Sequence, residues 1–224
     1  MPKRFNTTKN LKAILPSQQG FSLLELAIAL AVLAVLAGGV LKGSELIQSA
    51  KVQSTVTEIT NIDTAVSAFE GRYAALPGDF AGASAAGLGS FSGNGNGLVD
   101  TAGEQGAVFE HLQRAGFIKG QFTSIELTGA TCPETSCPAS PLGGTFVMGS
   151  TLLSDDPANG SIQLLLGNAT RSKKLADIDR KLDDGKAESG DFLILATEGS
   201  TCTTDEGLWD EASESNCQAA YKLR

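Results

Sequence analysis

Gly20-Phe21-Ser22-Leu23-Leu24-Glu25-Leu26 stands between a short basic leader and a long apolar run, and it restricts this chain more than any other stretch. From Phe21 to Leu41 only Ser22 and Glu25 have a side chain with a polar atom. At about 1.5 Å per residue, a helix over 21–41 reaches ~30 Å, the thickness of a bilayer core. A carboxylate in such a helix costs about 2.5–3.5 kcal/mol at mid-bilayer and less near the interface. Its natural partner is a positive charge at the same depth. Cleavage after Gly20 would create one, the α-amino group of Phe21.

An ordinary secretory signal has a shorter apolar region with its cleavage site behind it. Here Ala37-Gly38-Gly39 makes a poor small-residue site. A plain single-pass anchor gains nothing from Glu25. Lys3, Arg4, Lys9 and Lys12 precede the span, and residues 1–20 contain no acid. The positive-inside rule therefore places the leader in the cytoplasm and everything after Leu41 outside; Lys42 and Lys51 weaken this asymmetry without reversing it.

The order of basic leader, Gly, Phe, Ser-Leu-Leu-Glu and about twenty aliphatic residues resembles the type IV prepilin signature, which pilins share with the pseudopilins of type II secretion. The resemblance implies cleavage between Gly20 and Phe21 by a prepilin peptidase and N-methylation of Phe21. It further implies assembly with copies of itself or other pilins, through an inner-membrane machinery, into a helical filament. Phe21 and Glu25 would pair between neighbouring subunits. The implied location is the bacterial inner membrane, with a periplasmic C-terminal domain, and then a pilus, pseudopilus or cell surface. A type II secretion pseudopilin is the alternative within the class. A bitopic envelope enzyme or binding protein that never polymerises is the alternative outside it.

After Leu41 the pattern turns amphipathic. Val52, Val56, Ile59, Ile62, Val66, Phe69 and Tyr73 recur every three or four residues, which makes one helical face. One helix is therefore expected from about Phe21 to about Tyr73, with Gly38-Gly39 a point of low helix propensity. Leu76-Pro77-Gly78-Asp79 ends it as a turn. The expected organisation is a leader at 1–20, a membrane and assembly helix at 21–41, its amphipathic continuation at 42–75 and an exported globular domain at 76–224. The fold class is α+β and pilin-like, with the helix packed on a small antiparallel sheet.

Within the globular part, 81–103 reads as an irregular Gly/Ala/Ser loop able to bury little. A short helix is expected over 104–115, stopped by Gly116. Strands are expected at 122–127, 145–148, 162–166 and 192–197. Ser172 is the expected cap of a helix carrying Leu175, Ile178 and Leu182, ended by Gly185. Two segments, Arg72–Asp79 and Ile178–Gly185, resemble stretches of some pilin-like proteins; no chemistry attaches to them.

The chemical inventory is thin. Net charge is −8, and the leader holds four of the 17 basic residues and none of the 25 acidic ones. The exported part is thus more acidic still, and shows no electrostatic footprint for nucleic acid. Cys132, Cys137, Cys202 and Cys217 all follow the span; local pairing, Cys132 with Cys137 and Cys202 with Cys217, is the simplest of three connectivities. Their spacings do not match paired zinc ligands. The acidic Cys202–Cys217 loop holds Trp209, readable as contact surface or core. Ser92–Asp100 partly follows a calcium loop, with Asn94, Asn96 and Asp100 as candidate ligands, but it is short of carboxylates; the alternative is a flexible Gly/Asn turn. Calcium is the one possible cofactor. His111 reads as a surface residue, and Asp179, Asp183 and Asp184 as solvated charge. No hydrolase, P-loop or dinucleotide pattern occurs, so no enzyme activity is expected.

Overall fold

The structure, a computed structural model, describes residues 20–128, 131–150, 152, 161–195, 201–213 and 215–223. Leader residues 1–19 lie outside these, as do 196–197 of the expected fourth strand. The chain divides into two compact units, Met1–Leu46 and Ile47–Arg224. Helix α1 (Leu23–Tyr73) begins in the first and ends in the second.

In the second unit, Val52, Ile59, Ile62, Ala65, Val66 and Phe69 of α1 are buried in one apolar core. Each large side chain removed from water contributes about 1.5–3 kcal/mol. The same core takes in Phe109 and Leu112 from α2 (Ala102–Arg114) and Leu175 and Ile178 from α3 (Ser172–Leu182). Its sheet is antiparallel, in the order β1 (Val147–Gly149), β2 (Gln163–Leu165), β6 (Ala219–Lys222), β4 (Phe192–Ile194). A second ladder pairs β3 (Thr170–Arg171) with β5 (Asn216–Cys217). All residues of β1 and β2 are buried, so these strands show no alternation of apolar and polar positions.

Several local expectations are corrected. Residues 122–127 are irregular and do not form a strand. Their backbone donors go instead to the Thr135 carbonyl, the Glu110 carboxylate and the Ala102 carbonyl. This segment lies hard against α2: a Cβ at Gly106 would sit 1.8 Å from the Ile125 carbonyl oxygen. The Gly-rich loop buries Ala83, Leu88 and Val99 almost completely, contrary to its composition. Helix α2 starts at Ala102, because Thr101 and Glu104 form a capping box. Ser172 does not cap α3. Arg171 occupies the cap without a side-chain bond, and the Ser172 hydroxyl donates to the Asp210 carbonyl.

Helix α1 ends on Ala74, which adopts φ 50° and donates its N–H to the Glu70 carbonyl at 2.8 Å. A residue with a Cβ is strained in this left-handed conformation, the one glycine usually fills at a helix C-terminus. Ala74→Gly is expected to stabilise the fold by about 0.5–1 kcal/mol. In the detergent-solubilised chain this should raise Tm by about 1–4 °C. A lower Tm would show that Ala74 is not strained.

Candidate functional site: the processing segment and the polar clamps

Gly20 to Ser22 are non-helical and exposed, so the Gly20–Phe21 peptide lies just ahead of the helix. Ser22 accepts the Leu24 N–H on its hydroxyl at 3.3 Å and the Leu26 N–H on its carbonyl at 3.1 Å. These are the bonds of an N-terminal cap. Glu25 falls in the first turn, where the positive end of the helix dipole favours an acid. Phe21, Leu23, Leu24, Ile28, Leu30, Leu33 and Leu36 are all more than half exposed. Among the described residues, α1 is the one helix long and apolar enough to cross a membrane. Lys42 and Glu45 follow the apolar run and pair at 2.8 Å.

The four cysteines form Cys132–Cys137 and Cys202–Cys217, the two local pairings. The second closes a loop whose Trp209 is core: it is 5% exposed and its indole N–H donates to Asp179 Oδ2 at 2.6 Å. Asp179 is itself fully buried and also accepts the Gly185 N–H. Asp183 takes the Asp191 and Phe192 N–H groups at the start of β4. Asp184 takes the Lys186 N–H and the Ser189 hydroxyl. Asp179 is therefore not solvated charge, whereas Asp183 is half-buried and Asp184 is exposed as expected. Asp179 and Asp184 hold the adjacent Gly185 and Lys186 amides, Asp183 holds the start of β4, and the ligand atoms of the three lie within 4.8 Å of one another.

The calcium candidates sit on a loop organised by another residue. Asp79, 2% exposed, accepts the N–H groups of Gly95 (2.7 Å) and Asn96 (3.1 Å) on Oδ1 and that of Gly97 (2.8 Å) on Oδ2. Glu104 accepts those of Asn94, Asp100 and Thr101. Asn94 Oδ1 accepts the Asn96 N–H, Asn96 Oδ1 accepts the Leu98 N–H, and the Asn96 amide N–H faces Asp100. What converges here is a set of N–H donors around carboxylates rather than oxygens around a cation, so Asn94, Asn96 and Asp100 do not fit a calcium site in this arrangement.

His111 is buried, not on the surface. Its Nδ1 accepts the Gly78 N–H at 3.0 Å, and its Nε2 lies 3.1 Å from the Phe91 carbonyl oxygen. Asp79, Glu104 and His111 were missed as clamps. The Thr-x-x-Glu capping pattern at 101–104 was the readable signal for Glu104, and a loop of amides without acceptors was the signal for the others.

A long N-terminal helix with a small antiparallel sheet is a pilin-like α+β architecture. Residues 15–41 match the family model described as the prokaryotic N-terminal methylation motif. The chain thus carries, over residues 15–41, the prepilin signal of type IV pilins and pseudopilins. No curated protein and no solved structure matches it significantly.

Burial, reinforced by the charges of Asp183 and Asp184, pushes the Asp179 carboxyl up to about 6, against the bonds from Trp209 and Gly185. A carboxyl raised on folding stabilises most below its ordinary range, and that contribution is lost as pH rises through about 6. Trp209 is the sole tryptophan. Its fluorescence should therefore titrate with a midpoint near 6. In Asp179→Asn that transition should vanish; its survival would assign it to another group.

Proposed function

We propose that this chain is a structural filament subunit, cleaved between Gly20 and Phe21, N-methylated at Phe21 and assembled out of the membrane through the apolar half of α1. One observation carries the reading: the prepilin signal leads directly into a helix whose large apolar side chains are exposed from Phe21 to Val40 and again at Leu46 and Ile47. Such a surface is stable in lipid or against like helices, and a prepilin passes from the first to the second.

Lipid holds the subunit before assembly, and the cut between Gly20 and Phe21 frees an amine. In a bundle of such helices that amine, on one subunit, neutralises Glu25 on its neighbour. The attraction is strong at low dielectric, and an unpaired Glu25 would be costly there. Apolar faces alone can slide by a turn, so the pair also sets axial register. The implied partners are a prepilin peptidase, other pilin-type subunits and an inner-membrane assembly machinery, with the globular unit exported. The function is structural rather than enzymatic.

Intact mass of the envelope protein should show loss of residues 1–20 and gain of one methyl group. A chain starting at Met1, or cut after Gly39, would contradict the assignment. Glu25→Ala should be processed and retained in the membrane at parental level, since removing an acid eases insertion. Filament yield in the sheared fraction should fall by at least ~10-fold, as expected for an unpaired charge cost above about 1.4 kcal/mol. Parental yield would sink the pairing and favour a non-polymerising anchored protein.

A further inference from the structure

His111 is the only histidine of the chain. It lies where four elements meet. From α2 its Nδ1 takes the Gly78 N–H of the turn after α1, and its Nε2 faces the Phe91 carbonyl of the Gly-rich loop. Its ring stacks on Phe69 of α1, with centroids 6.3 Å apart and planes 12° apart. A backbone N–H can only donate, so Nδ1 must be a bare acceptor, and the proton of the neutral ring belongs to Nε2, which donates to Phe91.

Gly78 is also pressed onto α2. It adopts φ 94°, and a Cβ there would lie 2.6 Å from the Glu104 carbonyl oxygen. The next residue, Asp79, holds the amides of Gly95, Asn96 and Gly97. A Cβ at Gly93 would lie 2.3 Å from the Asp79 backbone, so the loop is seated directly on that residue. The connection runs from imidazole to Gly78 N–H, along one peptide to Asp79, and into the loop.

We propose that His111 is a proton-sensitive latch, which in its neutral form locks the Gly-rich loop closed through Gly78 and Asp79 and on protonation releases residues 88–100. Protonating Nδ1 sets an N–H against the Gly78 N–H. It breaks that bond and places an imidazolium in an apolar pocket, while the Phe91 bond is kept. The groups around the ring do not prevent this. On α2, Glu110 favours the cation, but it is engaged by Arg114 at 2.8 Å and by the Ser124 N–H. In the turn, Asp79 is committed to the loop amides. On α1, the Phe69 ring faces the imidazole, with Glu70 and Arg72 beside it in sequence. Residues 80–99 contain no ionisable side chain; the carboxylates at the end of the loop are engaged, Asp100 by the Asn96 amide and Glu104 by the Asn94, Asp100 and Thr101 N–H groups. Burial holds the imidazole below its ordinary range, against the Phe91 carbonyl and the Glu110 charge. Stability from this group is therefore full above about 6.5 and lost as pH falls below it. The latch is independent of whether the chain forms filaments.

Hydrogen exchange of the full chain in detergent micelles, labelled between pH 5 and 7.5 and corrected for intrinsic exchange, tests the latch. Peptides covering 88–100 should exchange at least ~10-fold faster at pH 5 than at 7.5, and in His111→Gln that dependence should disappear. The glutamine control separates this effect from Asp179, which titrates in the same range. Should His111→Gln fail to fold, 15N spectra of the wild-type imidazole replace it. Nδ1 must be unprotonated at pH 7.5, and its titration midpoint must coincide with that of loop release. The proposal is overturned by an Nδ1-protonated tautomer or by a loop that stays closed to pH 5, whether or not His111 titrates. It is equally overturned by His111→Gln loosening as the parent does.

Discussion

The stripe from Val52 through Ile59, Ile62 and Val66 to Phe69 is the wall against which the globular unit is built. A helix with one apolar face must cover it, and every other element contributes to that cover. Phe109 and Leu112 come from α2, Met148 and Leu164 from the sheet, and Leu175 and Ile178 from α3. The strands are two to four residues long and supply few backbone bonds of their own. Much of the remaining chain is irregular, so its amides need acceptors from side chains. Buried carboxylates and one imidazole meet that need, which is why so acidic a chain keeps Asp79, Glu104, Glu110 and Asp179 inside.

The same helix carries opposite solutions in its two parts. The second part hides its apolar face inside the fold. The first exposes apolar side chains all round, a surface that water does not tolerate in a monomer. The prepilin signal and the Ser22 cap lie at the start of this exposed part. On the proposed reading, processing, membrane residence and assembly all fall to this one segment and are separable from the chemistry of the globular unit.

Periodicity made α1 legible to its last residue, because its stripe spans many turns and the Pro-Gly that follows is unambiguous. The disulfides were legible from proximity in sequence. Strands β1, β2 and β4 were found to within a residue or two, as far as the structure describes them. Strands β5 and β6 were not: Asn216–Cys217 and Ala219–Lys222 are too short and too rich in small residues to signal a strand, and only their partners make them one. Phe122–Leu127 failed in the opposite sense, since its composition suits a strand but its nearest acceptors belong to a helix and a loop. His111 and Asp179, expected at the surface, are buried for one reason. Polar residues in a loop-rich fold are drawn inward by unsatisfied amides, and such amides become apparent only once the chain is folded.

The order of strands in the larger sheet has a consequence for timing. Strand β6, the last in chain order, lies between β2 and β4. Until it arrives, β2 and β4 have no shared neighbour, and the sheet is two fragments with open inner edges. A chain that emerged from a channel N-terminus first could therefore not close this sheet before β6 had followed β2 and β4. If the globular unit is exported as proposed, its larger sheet closes only after β6 has crossed.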